Sequence, residues 1–210
     1  MNRLPPAVCE RILAMEQQDL ALTQQLEAAG ELPQYGYHPA LEALHLANSR
    51  RLEDIMEQYA FPTLQNSRAP VHTAAWRIVQ HAISAPAFMR RCCDRFRRYS
   101  PQEIPLSSRA YLEDRIAFYE RRPQVYGTQF DYGLDGRLDV WWLADAPGVD
   151  ARRRAAALPP LEEVRARFRE APAVSREEAQ RMRREQEQWL VAVGWCGEEA
   201  IAHCRSVYGN

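Results

Sequence analysis

The sequence predicts a mainly α-helical protein: a single helical domain with one β-hairpin and appended C-terminal helices. Apolar residues recur at intervals of three and four through most of the chain, which is the period of an amphipathic helix. Asp135-Gly136 stands between two runs rich in β-forming residues, as in a hairpin turn. A chain of 210 residues, 46% hydrophobic and 26% charged, is long enough to bury one globular core.

The first half of the chain predicts four helices. Gly30 follows the first of them and is a residue type that commonly ends a helix. A loop at 33–39 separates the first two helices, and Pro86 opens the fourth. The predicted helices cover 4–29, 40–59, 72–84 and 86–99.

The second half predicts a fifth helix, the hairpin and three further helices. Ser107 or Ser108 is expected to cap the fifth helix, and Pro123 to end it. Ser175 and Glu178 have the spacing of a capping box at the start of a long charged helix. The strands are expected within 124–131 and 138–145, and the later helices over 161–170, 175–193 and 198–208.

This order of elements predicts three segments. The first is an N-terminal helix over 1–34. The second is a core helical domain over 35–170, with the hairpin near 124–145. The third is a C-terminal helical extension over 171–210, whose helices are polar nearly all round and favour a protein partner.

The fifth predicted helix carries a charge on its apolar side. Arg115 falls inside the apolar arc, and Asp114 lies at the edge of that arc. An unpaired buried charge is very costly, so we expect Arg115 to be largely buried and bonded to Asp114 or Asp131. Alternatively, Arg115 holds an anionic group of a ligand, since its planar guanidinium suits carboxylates and phosphates.

The first predicted strand presents polar side chains on both of its faces. Gln124, Tyr126 and Thr128 share one face, and Gln129 lies on the other with Gly127. Gly127 predicts a bulge or a close approach to the backbone. Two interpretations stay open: these side chains contact a ligand, or the hairpin covers the helices and Tyr126 is a core aromatic.

The third predicted helix places one histidine beside its apolar arc. His81 lies at the margin of the arc, whereas Gln80 lies on the opposite side. Such a histidine is either a hydrogen-bonded core residue or a general acid or base near neutral pH. His45 has no comparable polar company in the sequence. No HExxH, GxSxG or P-loop spacing occurs, and we expect neither a metal nor another cofactor.

Three short motifs resemble those of one protein family. Residues 80–82, 111–115 and 124–129 read QHA, YLEDR and QVYGTQ. They are similar to the pattern QHA, YLxDR and QxYGTQ of a bacterial family of domains of unknown function, DUF6624. The stretch 149–163 resembles the family's VDxRR and GLPPLxE ending, and it adds Arg153 to the candidate residues.

The resemblance covers about 35–170 and implies a fold unit without an assigned activity. It groups His81 with Asp114 and Tyr126, which strengthens the functional interpretation of His81. The chain departs from the pattern at Ala157, where glycine is usual, and at Phe61, where tryptophan is usual in a GWPT-like segment.

These residues lead to two expected functions. The first is an enzyme acting on a small polar or anionic metabolite, in which His81 is the general acid or base, Asp114 orients it and Arg115 holds the anion. In that case His81 and the Tyr126 hydroxyl line one cavity. The second is a non-catalytic adaptor or immunity-like protein, in which the same residues form a buried structural network. The further candidate substrate-binding residues are Gln80, Gln124, Thr128, Gln129 and Arg153.

Composition argues against several function classes. All 27 basic residues are arginine and 28 residues are acidic, so the net charge of -1 provides no general attraction for nucleic acid. Five cysteines without a C-x-x-C spacing argue against a disulfide framework and a zinc knuckle. No run of 18 apolar residues and no signal-peptide core occur, so we expect the cytoplasm and no membrane contact.

Overall fold

The protein is mainly α-helical with one antiparallel hairpin, as the sequence predicts. A computed structural model describes residues 3–33, 36–133 and 135–208. The chain forms two compact units, Met1–Ile104 and Pro105–Asn210. Their boundary differs from the sequence-based divisions at 34 and 170, which stay a prediction. Within the described residues, no helix combines the length and apolar character needed to cross a membrane.

The first unit is built from four helices. The N-terminal helix packs against both of the next two, so three helices surround one interior. A glycine with positive φ, Gly30, ends the first helix as predicted. Gln34 and Tyr35, in the loop predicted at 33–39, lie outside the described residues. The helices are α1 (Pro6–Ala29), α2 (Pro39–Tyr59), α3 (Ala69–His81) and α4 (Pro86–Phe96).

The bounds of α3 differ from the prediction in a way that matters for the site. The helix begins at Ala69 and has a proline in its first turn, where a missing N–H costs nothing. It ends at His81 and not near Ser84, because Ala82 already leaves the helical conformation. His81 is therefore the last residue of α3, where a side chain can reach across to neighbouring helices.

The second unit combines five helices with the hairpin. The fifth helix starts at Leu106 after Pro105, without a side-chain cap, so the predicted Ser107 or Ser108 cap is wrong. Pro105 presets a φ compatible with helix entry and lets the helix begin earlier. The elements are α5 (Leu106–Tyr119), β1 (Phe130–Tyr132), β2 (Leu138–Val140), α6 (Val149–Ala155), α7 (Leu161–Phe168), α8 (Arg176–Val193) and α9 (Glu198–Tyr208).

The hairpin is shorter than the sequence predicts. Its register pairs Phe130 with Val140, Asp131 with Asp139 and Tyr132 with Leu138. Residues 124–129 form a loop instead of a strand, because side chains bind most of its backbone groups, as described below. In the turn, a Cβ on Gly136 would lie 1.9 Å from the carbonyl oxygen of Val174, so only glycine fits there. Leu134 lies outside the described residues.

The last two helices pack against the hairpin. Ser175 caps α8 as predicted, since its Oγ accepts a hydrogen bond of 3.1 Å from the N–H of Glu178. A guanidinium N–H of Arg183 donates to the carbonyl of Tyr132, and the Tyr208 hydroxyl donates to the carbonyl of Val140. Some polar side chains of α8 and α9 therefore form hydrogen bonds to the hairpin within the second unit.

Candidate functional site

Side chains from three helices meet inside the first unit. They are Asp19 of α1, His45 of α2 and His81 at the end of α3. Oδ1 of Asp19 lies 2.8 Å from Nε2 of His45, and Oδ2 lies 2.6 Å from Nδ1 of His81. The hydroxyl of Tyr37 contacts Nδ1 of His45 and lies 3.0 Å from the carbonyl oxygen of His81. We call these four residues the Asp–His cluster.

The apolar pattern of α1 explains why a carboxylate is buried here. The buried face of the helix includes Val8, Ile12 and Met15, and Asp19 follows one helical turn later on the same face. Asp19 is 1% exposed, and α1 packs on both α2 and α3. An ionised carboxylate in such a place needs hydrogen bonds to both of its oxygens. The two histidines provide them.

The hydrogen bonds determine the proton positions in the cluster. Burial alone would raise the pKa of Asp19, but the hydrogen bonds from His45 and His81 outweigh it and hold the pKa well below its usual range. An ionised carboxylate only accepts, so each imidazole carries a proton on the nitrogen that faces Asp19. A neutral His45 is then protonated on Nε2, and a neutral His81 is protonated on Nδ1.

The cluster reaches solvent through one of its histidines. The side chain of His81 is 35% exposed, against 9% for His45 and 2% for Asp19. In neutral His81 the nitrogen away from Asp19, Nε2, carries a lone pair and makes no hydrogen bond within the described residues. A carboxylate that holds one imidazole nitrogen while the other stays available is the arrangement of an acid–base pair.

Two polar pairs lie within one helical turn of the cluster. Arg77 and Glu16 form an ion pair of 3.0 Å between α3 and α1. Ser84 donates a hydrogen bond of 2.5 Å to Glu42 of α2. The first pair connects α3 with α1, and the second connects the segment after α3 with α2, so both link the elements that carry the cluster.

The second candidate region is the loop at 124–129, and Asp114 organises it. Oδ1 and Oδ2 of Asp114 accept hydrogen bonds of 2.8–3.2 Å from the backbone N–H groups of Val125, Tyr126 and Thr128. Burial raises the pKa of Asp114, and these N–H groups oppose that rise. Asp114 therefore shapes the loop, and the carboxylate that contacts His81 is Asp19.

Two further predicted residues also build this loop. The amide of Gln124, fully buried, accepts from the N–H of Gln129 and donates to the carbonyls of Gln129 and Trp141. Arg153 is 1% exposed and donates to the carbonyls of Tyr126 and Gly127 at 2.7 and 3.0 Å. Gln124 and Arg153 thus satisfy loop backbone groups, which explains why the segment does not extend the hairpin.

The remaining loop side chains stay partly exposed. The ring of Tyr126 packs against Ala110 and its apolar neighbours, while its hydroxyl makes no hydrogen bond within the described residues. Oγ1 of Thr128 accepts a hydrogen bond of 3.0 Å from Nε2 of Gln129. Tyr126 is the member of this loop whose polar group is not used by the loop itself.

The buried guanidinium at the end of α5 is Arg121 and not Arg115. Arg115 is half-buried, and its expected pairing with Asp114 or Asp131 stays a prediction; these two carboxylates accept hydrogen bonds from the backbone N–H groups of Thr128 and Tyr132, respectively. Arg121 is 2% exposed and donates a hydrogen bond of 2.6 Å to Gln186. Its guanidinium also lies over the rings of Phe118 and Trp141, and such cation–π contacts stabilise a buried cation. These contacts produce no pattern that can be recognised in the sequence.

Comparison with known proteins places the chain in a family. The model of a family of unknown function, DUF6624, matches residues 6–174. The chain belongs to this family. No curated protein and no solved structure matches it. The matched span of the DUF6624 protein includes both candidate regions and also α1, which the sequence motifs alone did not include. Helices α8 and α9 lie beyond it.

Sequence reasoning about this DUF6624 protein missed three members of the cluster: Asp19, Tyr37 and His45. The interpretation that His45 has no polar partners was wrong, because its hydrogen-bond partners Asp19 and Tyr37 are separated from it in sequence. The sequence did contain a signal for Asp19, which falls on the otherwise apolar buried face of α1, whereas His45 shares the buried face of α2 with Asn48 and Ser49. Gln80 lies opposite the apolar arc of α3 in the sequence pattern, and in the structure it is nevertheless buried, at 3% exposure.

Proposed function

We propose that this protein is an enzyme that acts on a small polar or anionic metabolite, with the Asp–His cluster as its reaction centre. The observation that carries the proposal is the exposure of His81 at one end of a buried, ionised carboxylate. A buried, ionised carboxylate held by two imidazoles attracts a cation strongly, because little solvent screens its charge. The substrate reaches the cluster from the side of His81.

The second part of the proposal concerns substrate positioning. The sequence assigns it to Arg115 and Tyr126, which lie in the second unit, whereas the Asp–His cluster lies in the first. Asp114, Gln124 and Arg153 would take part only through the loop that they hold in shape. That His81 and Tyr126 line one cavity stays a prediction from the sequence, and a test of it is given in the Discussion.

A metabolite screen tests the proposal directly. The full chain is incubated with a mixture of polar metabolites and physiological divalent cations, and mass spectrometry follows the consumption of each compound. We expect at least one compound to be consumed by the wild type and by His203→Ala, an exposed histidine of α9, but not by His81→Ala. Consumption by His81→Ala at the wild-type rate, or by none of the three proteins, contradicts the proposal.

The second candidate function is a non-catalytic adaptor or immunity-like protein that binds a protein partner. The observation that favours it is the network around Asp114, Gln124 and Arg153, in which each of these side chains is hydrogen-bonded to backbone groups of the second unit. It predicts that His81→Ala leaves every binding property unchanged. We also propose the cytoplasm as the compartment, in keeping with five free cysteine thiols.

A further inference from the structure

We propose that Asp19, His45 and His81 bind a divalent transition-metal ion. This inference deepens the proposed function and rests on the same cluster. One ligand atom from each of the three side chains lies within 4.8 Å of the others. Among the described residues, these three side chains are therefore close enough together to hold one metal ion.

The donor set indicates the class of metal. Two imidazole nitrogens and one carboxylate oxygen suit Zn²⁺, Mn²⁺ and Fe²⁺, whereas Mg²⁺ and Ca²⁺ prefer sites made of oxygen donors. Three protein ligands leave at least one coordination position open, as in catalytic and not in structural zinc sites. An ion at this position has access to solvent on the side of His81.

Three packed helices provide the three ligands, which brings them close before any ion binds. The present separations of 2.6 and 2.8 Å are hydrogen-bond distances. A tetrahedral ion with bonds of about 2.0–2.1 Å holds its ligand atoms about 3.3 Å apart. The two contacts involve different carboxylate oxygens, and one ligand atom from each side chain lies within 4.8 Å of the others. Binding therefore requires small shifts of these side chains, which the partly exposed His81 at the end of α3 can accommodate.

The proton balance of metal binding is satisfied by groups already in place. Both imidazoles must move a proton from the nitrogen facing Asp19 to the other ring nitrogen, by exchange with water and without net proton release. In His45 the new Nδ1–H donates to the oxygen of Tyr37, and the Tyr37 hydroxyl donates to the carbonyl of His81, 3.0 Å away. In His81 the new Nε2–H faces solvent.

This arrangement has the form of a metal site with its outer hydrogen bonds. Histidine ligands generally donate their second ring N–H to a fixed acceptor, which orients the imidazole toward the ion. Tyr37 provides that acceptor for His45. We infer from this that Tyr37 is a positioning residue of the site, one that acts on the metal through His45.

Metal titration of the full chain tests the inference without knowledge of a substrate. Chelator-treated protein is titrated with Zn²⁺, Mn²⁺ and Co²⁺ by calorimetry, and the Co²⁺ spectrum separates nitrogen and oxygen ligands from thiolates. We expect one ion per chain and no thiolate charge-transfer band. His45→Gln and Asp19→Asn should each weaken binding at least about 100-fold, and Tyr37→Phe about 10–100-fold.

Two controls keep the result interpretable. His203→Ala removes an exposed histidine from α9 and should bind the ion as tightly as the wild type. Circular dichroism and a thermal melt show whether each variant is folded. If Asp19→Asn does not fold, His45→Gln alone tests whether the cluster binds the ion. No binding to the folded wild type, or equal affinity of the wild type and His45→Gln, overturns the metal site.

The outcomes also separate this inference from the proposed function. If the cluster binds the ion tightly but no metabolite is consumed, the metal-site inference stands and the proposed enzymatic function is wrong. If turnover persists in the presence of chelator but disappears in His81→Ala, the metal-site inference is wrong. The proposed enzymatic function then stands, with His81 as a general acid or base.

Discussion

Oδ2 of Asp19 lies 2.6 Å from Nδ1 of His81, although 62 residues separate the two in sequence. Asp19 belongs to the buried face of α1, and His81 ends α3 with about a third of its side chain exposed. The pair therefore joins an anion that is shielded from water to a ring that meets solvent. This relationship connects the packing of the first unit with the chemistry proposed for it.

The first prediction concerns the stability that this anion provides. Asp19→Asn removes the charge from two hydrogen bonds, and it should lower the free energy of unfolding by about 3–5 kcal/mol, since hydrogen bonds to charged groups contribute about 1.5–3 kcal/mol each. Urea denaturation measures the difference. Glu16→Gln, one turn earlier and paired with Arg77 near the surface, should cost less than about 1 kcal/mol. Equal losses in both variants contradict the buried-anion interpretation.

The second prediction concerns the tautomers of the two histidines. In metal-free protein at pH 8, neutral His45 should carry its proton on Nε2 and neutral His81 on Nδ1, because an ionised Asp19 only accepts hydrogen bonds. Nitrogen-15 NMR of the imidazole rings distinguishes the two tautomers. Addition of Zn²⁺ should exchange them in both rings. The opposite tautomers before any metal is added argue against the assigned proton positions.

The third prediction compares neighbouring arginines in α6. Arg153→Ala leaves the carbonyls of Tyr126 and Gly127 without their donor and should cost about 3 kcal/mol, because each buried unsatisfied group costs about 1–3 kcal/mol. The exposed Arg154→Ala should change stability by less than about 0.5 kcal/mol. Half-buried Arg115→Ala should fall between the two. Thermal and chemical denaturation rank the three variants by stability. A larger loss of stability for Arg115→Ala than for Arg153→Ala contradicts the role of Arg153 as the buried donor to the loop.

The fourth prediction concerns a strained residue after α2. Ala60 has φ 68° and ψ 177°, a conformation that residues other than glycine adopt only at a cost of about 1–3 kcal/mol. Ala60 is exposed, so Ala60→Gly should raise the free energy of unfolding by about 1 kcal/mol. The exposed helical Ala43→Gly should instead lower it by about 0.5–1 kcal/mol. Changes of the same sign in both variants count against backbone strain at Ala60.

The fifth prediction concerns the two candidate regions together. If the Asp–His cluster and the loop at 124–129 serve one substrate, His81→Ala and Tyr126→Phe should abolish binding of the same metabolite and shift the thermal melting temperature little. Binding is measured by a melt and by calorimetry with the compound found in the screen. Tyr59→Phe changes an exposed tyrosine of α2 and should behave as the wild type. Normal binding in Tyr126→Phe removes the loop from the proposed site.

Local pattern was sufficient for most elements. Helical periodicity with Gly30 and the Ser175 cap predicted the helices, since a helix hydrogen-bonds within itself. Turn chemistry at Gly136 predicted the hairpin. The seven-residue helix α6 was not predicted, because a segment of two turns shows too little periodicity.

The extent of the first strand could not be read locally. Residues 124–129 alternate like a strand, yet their backbone groups bind Asp114, Gln124 and Arg153. A side chain that replaces a neighbouring strand as hydrogen-bond partner leaves the alternation unchanged. The structural role of these motif residues therefore depends on contacts from α5 and α6, which the local sequence does not show.

The sequence by itself determined all the helices except α6, the place where the hairpin turns, and the position of His81 beside an apolar face. Only the tertiary structure decided that the partner of His81 is Asp19 and that His45 joins them. The physical reason is that a buried carboxylate is stabilised by whichever donors the packing of α1 against α2 and α3 brings to it. Sequence shows that such a charge needs partners, and only packing selects them.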